Sequence, residues 1–120
     1  MRSGTMNRRR NRLCVLLLSI VGLCAGGACR AGDLLAFSLN IENGHFDPEI
    51  IEVPAQTRFK LVITNHGPGP EEFESRELRK ETVLAPGVTR AVVFAPLKPG
   101  TYSFFGEFHP DTAQGQIIVK

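Results

Sequence analysis

The chain has 120 residues, with 14 Lys/Arg against 12 Asp/Glu and a formal net charge of +2, a length that suits one domain. Six basic residues and no acidic one fall within residues 1–31, so the remainder carries eight basic and twelve acidic groups, a net charge near −4, and offers no case for a nucleic-acid partner. All three cysteines (Cys14, Cys24, Cys29) and both methionines (Met1, Met6) also lie in that first segment, which closes the rest of the chain to disulfides, iron–sulfur clusters and thiolate–copper sites and leaves His and carboxylates as its metal donors.

Residues 1–31 read as a secretory signal. Arg2, Arg8, Arg9, Arg10 and Arg12 precede the apolar run "LCVLLLSIVGLC", and the small residues of "AGGACRAG" follow it. A basic stretch, a short apolar run and a small-residue zone make the three parts of such a signal, with a cut after Ala31. The run is shorter than the ~20 residues that cross a bilayer, although an uncleaved anchor stays open.

Residues 32–120 form the expected domain. "LLAFSLNIE" alternates, with Leu35, Phe37, Leu39 and Ile41 on one face. "PEIIEVPA" is a short strand, and "TRFKLVITN" sends Phe59, Leu61 and Ile63 inward, the period of two of a half-buried strand. The prolines of "HGPGP" break the pairing. "EEFES" resumes it, and "RELRKETV" reads as one helical turn or an irregular loop. "TRAVVFAP", "TYSFFGEF" and "GQIIVK" supply the remaining strands, separated by the turns "APGV" and "LKPG". Seven or eight strands without a long helix predict an all-β, antiparallel Greek-key sandwich.

Chemistry concentrates in two stretches. Glu72 and Glu74, two apart on a strand, leave the same face while Phe73 enters the other. Such a pair is either a metal-binding edge or a solvated face that protects a sheet edge. Ser38, Ser75 and Ser103 lack a neighbouring His–acid pattern, and no phosphate-cradling glycine loop opens a helix. Arg76, Arg79 and Lys80 follow the acidic pair directly, as a solvated loop or as counter-ions and a docking patch.

The order "FDPEIIEVPAQTRFKLVITNHG", then "EEFES" with "LRKE", then "LKPGTYSFFGEFHPDTAQGQIIV" resembles the cupredoxin-like family across residues 37–120. Within it, the sequence is most similar to the periplasmic cupredoxin domains of EfeO-type iron-uptake proteins and to the stand-alone cupredoxins that accompany high-affinity iron permeases. Against a blue-copper pattern the departures are chemical. Glu71 falls near the first His ligand, Gly106 replaces the Cys, His109 keeps the second His, and Gln114 replaces the axial Met. Without thiolate there is no blue-copper chromophore.

The resemblance places Glu107, His109 and Asp111 in the loop that closes the copper-bearing end. It therefore implies a hard-ligand set of Glu72, Glu74, Glu107, His109 and Asp111 for a copper or iron ion that is not type 1 blue copper, with Glu71 and His66 as weaker candidates. His45 reads as an exposed loop residue, and Gln114 as a hydrogen-bonding side chain. The function implied is that of a periplasmic component of ferrous-iron uptake, with an accessory part in Fe(II) oxidation left open. Its partner would be an inner-membrane iron permease or another periplasmic iron-uptake protein. A copper chaperone or buffer and a metal-free interaction module are the alternatives, and a homodimer completing a site from two chains stays open.

Overall fold

A computed structural model describes residues 34–120; the signal segment and its cleavage point lie outside the described residues. Nine strands follow one another: β1 (Leu35–Glu42), β2 (His45–Asp47), β3 (Ile50–Val53), β4 (Phe59–Asn65), β5 (Glu71–Ser75), β6 (Lys80–Leu84), β7 (Thr89–Phe94), β8 (Gly100–Phe105) and β9 (Gln114–Val119). They form a four-stranded sheet, β2-β1-β4-β7, and a five-stranded sheet, β3-β9-β8-β5-β6. The expected sandwich is present, with two refinements. The strand count is nine rather than seven or eight, and β1–β4 and β3–β9 pair in parallel, so the sheets are mixed.

The added strands have simple origins. Asn43 and Gly44 take positive φ (49° and 76°), a tight turn that folds His45–Asp47 back onto β1. The stretch "RELRKETV" is neither helical nor irregular: Arg76–Arg79 make a four-residue turn, and Lys80–Leu84 return as β6 beside β5. Arg79, with φ 56°, makes the left-handed step at the end of that turn. Thr82 and Val83 are β-branched and suit the pleated strand that follows.

Alternation builds the core. β4 has every odd position buried, from Phe59 to Asn65, and its Phe, Leu and Ile join the one buried core cluster with residues of both sheets. Phe46, Phe73 and Phe104 cluster between the sheets, with Phe46–Phe104 edge-on at 4.9 Å and Phe73–Phe104 at 5.1 Å between ring centroids. Buried Asn65 organises the "HGPGP" loop, accepting from the Gly67 N–H and donating to the carbonyls of Gly69 and Leu84. That loop delivers the chain to the start of β5, where the alternation fails. Glu71 and Glu72, consecutive and facing opposite sides, are both buried.

Candidate metal centre

The outer face of the five-stranded sheet gathers four carboxylates. Glu72 and Glu74 project from β5, and Glu81 lies directly opposite Glu74 on β6. Glu107 comes from the loop after β8. One carboxylate oxygen from each lies within 4.8 Å of the other three. Glu74 and Phe105 are register partners across β5–β8, which carries the loop beginning at Gly106 towards the carboxylates. Arg76 sits at the rim, its Nε 3.4 Å from a Glu74 oxygen and its guanidinium 4.9 Å above the Phe105 ring.

Glu72 is the buried member, 2% exposed. Its Oε1 accepts the Glu107 backbone N–H at 2.7 Å. Its pKa is raised, chiefly by burial. A hydrogen bond with Glu81 and the charges of Glu74 and Glu107 add to the rise, and the Glu107 N–H opposes it. A cation among these oxygens would remove the repulsion that the folded chain otherwise holds.

On the other side of β5 a second arrangement forms. Glu71, 1% exposed, stands 3.0 Å by Oε1 from Nδ1 of His109 and accepts the Gly44 N–H on Oε2 at 2.8 Å. Thr112 Oγ1 donates to the Gly44 carbonyl at 2.7 Å. The loop is folded on itself, with the Gly106 N–H donating to the Ala113 carbonyl and the amides of Thr112 and Ala113 donating to the His109 carbonyl.

The residues predicted from the sequence thus divide. Glu72, Glu74 and Glu107 come together. His109 pairs instead with Glu71, because the loop places residues 107 and 109 on opposite sides of β5. Asp111 is exposed and joins neither group. His66 is held by Nε2 at 2.8 Å from Asn40 Oδ1, and His45 is exposed on β2. Gln114 donates to the Pro110 carbonyl. Glu81 was missed in the sequence. Reading "SRELRK" as a four-residue turn would have paired Ser75 with Lys80 and placed Glu81 opposite Glu74.

The position expected for a cysteine is sterically closed as well as chemically empty of sulfur. A Cβ on Gly106 would lie 2.7 Å from the Glu72 carbonyl oxygen and 3.1 Å from Ala113 Cβ. With Glu71 and His109 bonded to each other, the residues present do not fit a type 1 copper centre.

Comparison with known proteins agrees on the fold. The profile of the cupredoxin-like domain matches residues 13–119. An uncharacterised protein of Rickettsia prowazekii (strain Madrid E) is 40% identical over 111 residues, covering 90% of this chain and 89% of its own. The Cu(I)-bound metal-binding domain of the exporting ATPase CopA from Streptococcus pneumoniae D39 superposes with a TM-score of 0.66 at 15% identity, over 78% of this chain and 92% of that one. Reduced auracyanin from Roseiflexus castenholzii gives 0.60 at 13% identity, over 71% and 96%. The fold is thus related to that of copper-binding proteins, and the chain belongs to the cupredoxin-like domain family.

Proposed function

We propose that this chain is an exported, periplasmic metal-binding protein of ferrous-iron uptake, holding a hard cation on the outer face of β5 and β6 for delivery to an inner-membrane permease. The observation that carries the reading is the convergence of Glu72, Glu74, Glu81 and Glu107 around a carboxylate that is itself buried. Four acidic groups so close repel one another, and burial makes the charge on Glu72 more costly. A di- or trivalent ion offsets both terms. The donors are all oxygen, which favours hard ions over Cu(I). The "EFES" and "LRKE" motifs, whose resemblance to iron-uptake proteins suggests the pathway, contribute Glu74 and Glu81 to the cross-strand pair at the heart of the cluster.

Iron is here cargo. The residues around it bind and orient, and any oxidation of Fe(II) would need a separate one-electron acceptor. A copper-buffer role has weaker support, because residues 32–120 contain neither Cys nor Met and the imidazole nearest the cluster's loop is engaged by Glu71.

Calorimetric titration of the metal-free chain with Mn(II), anaerobic Fe(II) and Cu(II) tests the binding. One hard ion per chain is expected, with affinity reduced by about 100-fold in Glu74→Ala, at the upper end of what even outer-shell losses cost. A folded chain that binds none of the three ions overturns the reading. The pathway is tested separately, by uptake of labelled ferrous iron in cells lacking the protein, where unchanged uptake would count against it.

A further inference from the structure

We infer that the end of the sandwich where the fold family carries copper is closed in this chain by an internal latch, Glu71–His109 with Gly44 and Thr112, and that the latch positions the Glu107 ligand. This rests in part on the metal site proposed above, since the value of positioning Glu107 depends on that site.

The two members of the latch replace two expected copper ligands with one contact. Glu71 is almost wholly buried, and a buried carboxylate must be satisfied by donors. It has two, the Gly44 N–H on one oxygen and the His109 ring on the other. A carboxylate that accepts on both oxygens fixes the imidazole proton on Nδ1. That leaves only Nε2 free, so Nδ1 is not offered to a metal. The ring also packs against Gly44, where an added Cβ would come within 2.7 Å of His109 Cγ. Gly44 further requires φ +76°, so it is constrained by backbone and by the imidazole together.

Three segments distant in sequence meet here: the β1–β2 turn, the start of β5 and the β8–β9 loop. Adjacent residues of β5 grip the loop from opposite faces of the strand. Glu71 holds His109 on the inner side, and Glu72 holds the Glu107 amide on the outer side at 2.7 Å. Between those two anchors the loop has little freedom, because the His109 N–H also donates to the Gly106 carbonyl at 3.1 Å. Releasing His109 removes one anchor, and Glu107 then pivots on the other. His109 is therefore a positioning residue for the carboxylate cluster rather than one of its ligands.

The test compares His109→Ala with His109→Asn, whose side-chain amide offers a donor close to where Nδ1–H stands. Three readouts are taken on the full chain: hydrogen exchange of the Glu107 and Gly44 amides, affinity for Mn(II), and the electron paramagnetic spectrum of added Cu(II). The latch predicts faster exchange at both amides and about tenfold weaker Mn(II) binding in the Ala variant, and substantial recovery of both in the Asn variant. Nitrogen coupling that both variants abolish would make His109 a ligand and overturn the inference. So would unchanged exchange at Glu107 and Gly44 in the Ala variant. If the wild-type chain binds no metal, the proposed function fails, while the amide exchange still decides whether the latch exists.

Discussion

At the scale of single residues, Glu72 is the group whose ionisation the fold resists. Its folded pKa lies above the ordinary value of 4.5, with burial the largest cause. In the window between those two values the folded chain holds a proton that the unfolded chain has released. The metal-free protein therefore loses this contribution to stability as pH rises from about 4.5 through the raised value, and regains it on acidification. Glu72→Gln keeps a carbonyl oxygen for the Glu107 amide and adds a donor towards Glu81. It should stabilise the metal-free chain at neutral pH by about 1 kcal/mol and flatten that part of the pH profile, read by urea unfolding across pH. Gly106 yields a second expectation. Glu72 presents its carbonyl oxygen to the space a side chain would need, so Gly106→Cys should destabilise the fold by about 1–3 kcal/mol through overpacking. It should also yield no intense visible band with Cu(II), because the two partner positions are bonded to each other.

The β5–β6 hairpin sets the cluster at the scale of elements. A four-residue turn fixes the register, and with it the opposition of Glu74 and Glu81. Like charges directly opposite on an antiparallel pair cost about 0.2–1 kcal/mol. Glu81→Lys converts that pair into an attraction at an exposed position, so thermal stability should rise slightly while hard-ion binding is lost, measured by melting and by Mn(II) titration of the same sample. A chain that melts higher and still binds Mn(II) at full strength would remove Glu81 from the site. The sequence shows half of this arrangement plainly. The alternation of "EEFES" puts Glu72 and Glu74 on one face, and in the structure a carboxylate oxygen of each lies within 4.8 Å of the other. Glu81 was hidden because "RELRKETV" carries enough charge to resemble a solvated loop, and only pairing with β5 reveals it as a strand. The separation of Glu107 from His109 was hidden for another reason. Two residues apart would mean one face in a strand, but this loop turns between them through hydrogen bonds that no local pattern announces.

For the whole molecule, the question is how far the core supports the carboxylate face, and β5 provides a direct comparison. Phe73 is fully buried between Glu72 and Glu74 in the chain and packs on Phe46 and Phe104, joining the two sheets. Phe59 is equally buried but lies on β4 in the other sheet, stacked on Phe94 at 4.8 Å. Truncating either to alanine removes a large aromatic from a close-packed interior and should cost about 3–5 kcal/mol, a large part of the 5–15 kcal/mol that a domain typically has. Their effects on metal binding should nevertheless differ. A cavity under Phe73 lets β5 shift beneath the two carboxylates it carries, whereas a cavity under Phe59 relaxes into β4 and β7, which contribute no member of the cluster. Under conditions where both variants remain folded, Phe73→Ala should weaken Mn(II) binding several-fold while Phe59→Ala leaves it close to wild type. Equal losses in the two would mean that the sandwich responds as one rigid body, and that the carboxylates are positioned by global stability. Loss confined to Phe73→Ala would instead assign their placement to β5 itself, the strand whose outer face bears Glu72 and Glu74.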